Sequence, residues 1–359
     1  MKISFILSSL WLSGGVRVII EIANGLVVRG HDVCLVVPSG TIDQDVLPFI
    51  KPSIPINQSS YILSRGKKSS PFHLARLALS LAQAVPVSDY IISTHAPTTV
   101  PGFIATHVLN RGISLWFYQD YIEMFEGKTI EPWLVRNAMR WHKMAIVVSS
   151  DSLAELQRFT KQRIVNVSEG ISDAEYFHPL TNFVNPDNKI CPILFLGDMR
   201  PRKGLSDFLL AAEQVYAMIP EIRLWIVSKD QCRIESKVPY DFIYRPSRQE
   251  LAFRYAKCTL FVSASWWESF GIPPLEAMAC GAPVVLTDSR GVRDYAVHGE
   301  NCLMVPPRDP TALAKAMIAV LQNPYWSEKF HQTGPQTAAE FTWEKSVDRF
   351  ENALNEMRG

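Results

Sequence analysis

The chain reads as an α/β protein made of two doubly wound domains, each a parallel sheet with helices on both faces. Short continuous apolar runs alternate with amphipathic stretches, the pattern of strands buried on both faces between covering helices. The alternation passes through two successive sets. A length of 359 residues is long for one hydrophobic core and suits two.

Taken in order, the first set predicts strands at Ile3–Leu7, Val33–Val37, Tyr90–Ile92, Leu115–Tyr118, Ile146–Val148 and Ile164–Val167. Helical spacing lies between them at Val16–Val28, Pro71–Gln83, Pro132–His142 and Ser152–Phe159. The polar stretch Thr181–Lys189, with Asn182, Asn185, Pro186, Asp187 and Asn188, carries turn chemistry and reads as the linker. The second set predicts strands at Ile193–Leu196, Arg223–Val227, Asp241–Tyr244, Thr259–Val262, Val284–Leu286 and Leu303–Val305. Its helices are Leu205–Met218, Ser247–Ala256, Leu275–Cys280 and Thr311–Leu321. Neither an internal repeat nor a low-complexity tract interrupts this order.

Composition narrows the function classes. With 36 basic and 35 acidic residues the chain has no strong field for nucleic acid, and none is expected as a partner. Cys34, Cys191, Cys232, Cys258, Cys280 and Cys302 are scattered without a C-x-x-C pair, which argues against a disulfide framework or a zinc site. A reducing cytosol is the expected location. The first apolar run is too short and too soon broken by Ser and Gly for a signal peptide. No run of about 20 apolar residues predicts a membrane span.

Ligands of open parallel sheets bind beyond the carboxyl ends of the strands, so the strand-to-helix turns carry the functional expectation. The most informative is Trp267-Glu268-Ser269-Phe270-Gly271-Ile272-Pro273-Pro274-Leu275-Glu276. It reads as a loop breaking into a helix: Pro suits the first helical positions, and Gly lets the backbone approach a ligand. Glu268 is then expected in the loop and Glu276 in the first helical turn, both beside free backbone N–H groups that suit phosphate. A helix end for an anion with two carboxylates beside it suits a ligand carrying both phosphate and hydroxyls, such as a nucleotide-sugar. The turn Gly197-Asp198-Met199-Arg200-Pro201-Arg202-Lys203-Gly204 sets three cations at a strand end, equipment for a diphosphate. In the first half, Ser13-Gly14-Gly15 opens the first helix and can bring N–H groups to a phosphate. It is not G-x-G-x-x-G, so no dinucleotide fingerprint is present.

With these motifs in view, the chain resembles the retaining GT-B glycosyltransferases of glycosyltransferase family 4, the glycosyl transferases group 1 type. The resemblance is close over about 190–325 and looser before. It rests on the E-x7-E element Glu268 to Glu276, on Ala277-Met278-Ala279-Cys280-Gly281 behind it, and on Met304-Val305-Pro306-Pro307-Arg308-Asp309. It implies two Rossmann-like domains facing a cleft: an acceptor-side domain at 1–182, a donor domain at 183–340, and a C-terminal helix at 341–359 returning to the first. It implies that Glu276 binds the donor ribose and Glu268 a hydroxyl of the transferred sugar. The Ser269, Phe270, Gly271 and Ile272 segment would hold sugar and phosphate. Lys203 would neutralise the diphosphate with Gly197, Arg200 and Arg202 around it, and Gly14 and Gly15 would contribute N–H groups from the other domain. The expected chemistry is hexose or deoxyhexose transfer from a nucleotide-diphosphate sugar to a glycan or lipid-linked acceptor in cell-surface polysaccharide synthesis. Retention at the anomeric carbon is expected, with no cofactor and no catalytic metal.

Three departures from the family pattern stand out. Asp198 follows Gly197 where the family often has Arg, so Arg200 or Arg202 is expected to replace it, while Asp198 contacts a sugar hydroxyl or pairs with Lys203. Ser228-Lys229-Asp230 stands in place of the usual Gly-x-Gly. Gln119-Asp120-Tyr121 stands where many relatives have His-Asp, and resembles the rhamnosyltransferase-like branch. Gln119 and Asp120, with His95 at another strand mouth, are catalytic-side candidates for sugar or acceptor contact, against the plainer reading that they only cap turns. Asp43-Gln44-Asp45 matches a short metal signature, but no further ligands support it. Arg65, Lys67 and Lys68 before the helix with Arg76, and Arg136, Arg140 and Lys143 on another, form basic faces suited to peripheral contact with the inner membrane surface. A nucleotide-sugar epimerase of similar fold and a non-catalytic nucleotide-sugar-binding protein are the competing readings.

Overall fold

The structure, a computed structural model, describes residues 1–62, 71–125, 127–172, 175–179, 190–231 and 233–358. The chain divides into two compact units, Met1–Glu169 with Trp343–Gly359, and Gly170–Thr342. The linker expected at Thr181–Lys189, and Arg65, Lys67, Lys68 and Cys232, lie outside the described residues.

In unit 1 the order is β1 (Lys2–Ile6), α1 (Gly14–Val28), β2 (Asp32–Ser39), β3 (Ile56–Ile62), α2 (Pro71–Ala84), β4 (Tyr90–Ser93) and α3 (Thr99–Phe103). It continues with β5 (Ile113–Tyr118), α4 (Ile130–Ala138), β6 (Met144–Val147), α5 (Ser150–Gln157) and β7 (Arg163–Asn166). Among the described residues these strands form one seven-stranded sheet in the order β3-β2-β1-β4-β5-β6-β7, and every pairing is parallel. The strand order reverses between β1 and β4, which makes their carboxyl ends the switch point where such sheets bind ligands.

Unit 2 runs β8 (Cys191–Leu196), α6 (Leu205–Tyr216), β9 (Ile222–Ser228), β10 (Tyr240–Tyr244), α7 (Arg248–Lys257), β11 (Leu260–Ser263) and α8 (Ile272–Ala279). β12 (Val284–Thr287), β13 (Leu303–Val305), α9 (Pro310–Gln322) and α10 (Pro324–Ala338) complete it. Its parallel sheet has the order β10-β9-β8-β11-β12-β13, with the switch point between β8 and β11. The apolar runs fill the core as expected: Phe195 and Phe208 are fully buried and stack at 4.5 Å between ring centroids.

The last helix, α11 (Trp343–Glu356), belongs to unit 1. Phe350 packs against Phe5 and Phe117, and the Tyr90 hydroxyl donates to Leu354 O at 2.8 Å. Arg29 and His31 both reach the Glu351 carboxylate, at 2.8 and 2.7 Å. Close approach of α1 and α11 depends on Gly25, where an added Cβ would lie 2.4 Å from Val347 Cγ2.

The expected strands are all present, with ends shifted by one or two residues. Three elements were not foreseen. In β3, Ile-Asn-Gln-Ser-Ser-Tyr-Ile lacks a continuous apolar run because it is an edge strand paired only with β2. In α10, Gly334 and Pro335 hide a helix that continues through them. The third is the short α3. Two helices have different limits. α4 stops at Ala138, whose carbonyl accepts from His142 Nδ1 at 2.7 Å. α8 begins three residues before the expected Leu275 because Gly271 starts it.

Replacing Gly25 by Val is expected to destabilise the protein by about 1–3 kcal/mol, the usual cost of overpacking a tight contact. A lower denaturation midpoint at unchanged slope is the readout; an unchanged midpoint refutes the packing argument.

Candidate functional site

The two most informative turns leave adjacent strands at the unit 2 switch point. The basic turn 197–204 follows β8, and the Trp266–Gly271 loop follows β11. They are joined by backbone first. Trp266 N donates to Arg202 O at 2.7 Å, and Arg202 Nη1 donates to Trp267 O at 3.0 Å. On the far side Glu268 N donates to Ser289 O at 2.9 Å, and Gly291 N donates to Glu268 O at 3.0 Å. Glu268 is thus held on both sides by backbone before its carboxylate makes any contact.

That carboxylate accepts from Lys203 Nζ at 2.6 Å and lies 3.5 Å from Arg202 Nη1. Both side chains of the tighter pair are largely shielded, at 16% and 15% exposure. Burial pushes the Glu268 pKa up, but the charges of Lys203 and Arg202 and the Lys203 hydrogen bond outweigh it and hold the group at about 2. Glu268 is therefore a fixed anion beside a fixed cation, a pairing that can meet a hydroxyl and a phosphate at neighbouring points.

Gly271 supplies the turn into α8. Its φ of 91° lies in the left-handed region, where L side chains are strained. Its carbonyl accepts from Tyr295 Oη. Helix geometry leaves the amides of the first turn without intrahelical partners, and Pro273 and Pro274 have no N–H. The donors at this helix end are therefore the amides of Gly271 and Ile272. Phe270 is buried against Tyr295 and Phe341 at 5.5 and 5.7 Å between centroids, so any role toward a ligand falls to its backbone. Ser269 is partly buried in the same loop.

Glu276 corrects one expectation. Because α8 begins at Ile272, Glu276 is its fifth residue and sits in the second turn, not the first. It is 4% exposed and is met by two groups that the sequence did not suggest. Arg248 Nη2 donates to Oε1 at 2.9 Å and Tyr255 Oη to Oε2 at 3.2 Å. Arg248 also lies over the Phe177 ring at 4.5 Å. No local spacing links 248 with 276, so only the tertiary fold reveals the pair.

Asp198 has a different partner from the lysine considered for it. Its carboxylate is taken by Arg200, whose Nε lies 2.8 and 3.0 Å from its two oxygens, not by Lys203. Arg202 is committed to Trp267 O and Glu268. Lys229, singled out only as a departure in sequence, lies close to these groups. Burial first, and then the Arg200 charge, lower its ammonium pKa. Arg308, with φ of 62°, covers both Trp266 and Trp267, at 4.1 and 4.8 Å from their ring centres. Trp266 Nε1 donates to Asp207 at 2.6 Å.

In unit 1 the switch point gathers a separate group. Ser13 caps α1, accepting from Val16 N at 3.4 Å, so Gly14 and Gly15 open the helix. A Cβ added to Gly15 would lie 3.3 Å from Gln119 Oε1 and 3.8 Å from His95 Nε2. The Thr94 hydroxyl donates to Ile6 O at 2.9 Å, so at 3.0 Å it can only accept from His95 Nδ1. A neutral His95 ring then has Nε2 as an acceptor on the Gly15 side. Asp120 follows Gln119 at the end of β5 and is partly buried. The turn after it is held by Glu155, which accepts from Ile122 N at 3.0 Å. Asp43 has a local task, accepting from Asp45 N at 3.2 Å to cap a short helix. Among the described residues no cluster of three or more His, Cys, Asp or Glu side chains is arranged for a metal ion.

Residues 191–323, which hold the β8 and β11 turns, match the family model described as glycosyl transferases group 1. The chain resembles this family over that segment. It is 30% identical over 172 residues to the O-antigen chain mannosyltransferase B of Escherichia coli, covering 45% of this chain and 44% of that one. It thus spans under half the length of that relative. Among solved structures, sucrose-phosphate synthase from Thermosynechococcus elongatus superposes with a TM-score of 0.81 at 18% identity, over 99% of this chain and 98% of the other. HepE from Anabaena, solved in complex with UDP-glucose, gives 0.77 at 18% identity over 99% and 100%. The fold is GT-B, with its two Rossmann-like domains.

Glu268→Gln tests the electrostatics of the site. A carboxylate with a depressed folded pKa stabilises above its unfolded value of 4.5 and loses that contribution as pH falls toward 2. The variant is expected to be less stable than the parent by about 2–3 kcal/mol at pH 7. In paired denaturation curves the gap should narrow below pH 4.5; a gap independent of pH refutes the assignment.

Proposed function

We propose that this chain transfers a hexose or deoxyhexose from a nucleotide-diphosphate sugar to a glycan or lipid-linked saccharide. The observation that carries the reading is the Lys203–Glu268 pair at 2.6 Å, placed at the switch point where the family segment's basic turn meets its E-x7-E loop. Lys203 and Arg200 take the diphosphate charge without a metal ion, Glu268 takes a hydroxyl of the transferred sugar, and the Gly271 and Ile272 amides face phosphate or sugar. Glu276, steadied by Arg248 and Tyr255, takes the ribose hydroxyls.

In the transfer the bond from the anomeric carbon to the phosphate oxygen breaks and a bond to the acceptor hydroxyl oxygen forms. The acceptor proton passes to the departing phosphate, and the nucleoside diphosphate leaves. Attack on the face of the leaving group retains the anomeric configuration. Most of the rate would come from positioning and from stabilising the departing phosphate charge. For unit 1 we assign His95 and Asp120 to acceptor or sugar contact, with Gln119 beside them, and the Gly14 and Gly15 amides to an anionic group. The relation to an O-antigen mannosyltransferase supports a role in polysaccharide assembly, and the UDP-glucose complex of HepE makes UDP-sugars the first donors to try.

A thermal-shift screen with UDP-, GDP-, ADP- and dTDP-sugars tests this, since a ligand of the folded state raises the melting point by mass action. A shift with one donor is expected, and Lys203→Ala should lower kcat/KM with it by about 10²-fold or more. No shift with any of them would sink the proposal.

Unit 1 also exposes Phe72, Leu79, Ile130 and Trp133 near the basic residues Arg76, Arg136 and Arg140, which we assign to peripheral contact with an anionic membrane. Sedimentation with phosphatidylglycerol vesicles is expected, weakened by Trp133→Ala with Phe72→Ala. Equal sedimentation with neutral vesicles, or none, removes this part of the reading.

A further inference from the structure

The turn after β8 contains a buried carboxylate to which the donor-site reading gives no task. Asp198 is 5% exposed. It accepts from Arg200 N at 3.0 Å, from Arg200 Nε at 2.8 and 3.0 Å, and from Arg200 Nη2. The Arg200 side chain itself is about half exposed, at 52%. The acid is thus inside and the guanidinium outside.

A guanidinium carries five N–H donors in a rigid planar fork. Asp198 occupies the edge made by Nε and Nη2. The edge made by Nη1 and the outer Nη2 hydrogen is the neighbouring edge in the same plane and is itself bidentate. Cations gather near Arg200, with the Glu268 and Asp230 carboxylates also within range of its charge. Gly197 N donates to Val227 O at 3.1 Å, so the turns carrying Arg200 and Lys229 leave adjacent strand ends, and Lys203 follows in the first turn. Lys229 feels the positive charge of both Arg200 and Lys203 in addition to its burial. Cations gathered at one strand edge around a guanidinium with one bidentate edge open make a place for a doubly charged anion.

We propose that Asp198 is a positioning residue: its buried carboxylate holds Arg200 by the Nε edge and so presents the Nη1–Nη2 edge to the diphosphate of a nucleoside-diphosphate donor beside Lys203. This rests on the donor-site reading above. A lysine at 200 would keep the charge and lose the fork.

The test is calorimetric titration of UDP, GDP, ADP and dTDP into the full chain and into Asp198→Asn, Arg200→Lys, Arg200→Ala and the Asp198→Asn/Arg200→Ala double variant. For whichever nucleotide binds the parent, Asp198→Asn is expected to weaken binding roughly tenfold, the scale of one charged hydrogen bond. Arg200→Lys should lose nearly as much as Arg200→Ala. In the Arg200→Ala background Asp198→Asn should cost less than about twofold, because the two act as one unit. Wild-type affinity in Asp198→Asn, an equal loss in both backgrounds, or wild-type affinity in Arg200→Lys overturns the proposal. If Asp198→Asn does not fold, the Arg200→Lys arm decides, since that side chain is half exposed. A parent protein that binds none of the nucleotides overturns the donor reading and this proposal together. Intact parent binding with unaffected variants overturns the role of Asp198 alone.

Discussion

The pairing of β8 with β11 is the constraint on which the rest of unit 2 depends. Parallel order brings the carboxyl ends of two strands, about 65 residues apart in the chain, to one edge of the sheet. The Lys203–Glu268 ion pair then ties their turns together. A shielded pair of this kind is not in itself a strong source of stability, since desolvation offsets much of the attraction. Its value lies in geometry. The backbone bonds from Trp266 and Gly291, with the Arg202 side chain on Trp267 O, fix both turns first, so the two charges meet with little freedom left to lose.

How far the site was legible in the sequence follows from the range of each interaction. Strand and helix order was legible because apolar runs buried on both faces leave a continuous signal. The edge strand Ile56–Ile62 escaped because its burial is only partial and its one buried residue is the polar Ser59. α10 escaped because Gly334 and Pro335 look like breakers, while Gly334 in fact lets the helix lie close on Met278. Glu268, Lys203 and Gly271 were legible because turn chemistry is local. Arg248, Tyr255 and Arg308 were not. Their roles toward Glu276 and the two tryptophans come from packing between elements distant in sequence.

The two glutamates of the E-x7-E element emerge as different kinds of group. Glu268 stands among cations that hold it ionised, and its contacts are those a polar ligand would share. Glu276 is more deeply buried, with an arginine and a tyrosine on its two oxygens. Pro273 and Pro274 separate them in function as well as in space. By removing two amides from the first turn of α8 they confine its donors to Gly271 and Ile272, on the Glu268 side of the helix.

The place of α11 bears on how the chain reaches its native state. Unit 1 is discontinuous: Gly170–Thr342 is inserted between its first 169 residues and its closing helix. The incoming and outgoing segments of the insert are bonded to each other, Ile171 N to Phe341 O at 3.2 Å, so unit 2 can close on itself as a domain whose ends are near neighbours. Unit 1 has no such independence. The face of α1 around Gly25, and the pocket of Phe5 and Phe117 that receives Phe350, stay open to water until α11 has been made. Of the two units, the one whose residues are made earlier is therefore completed after the other.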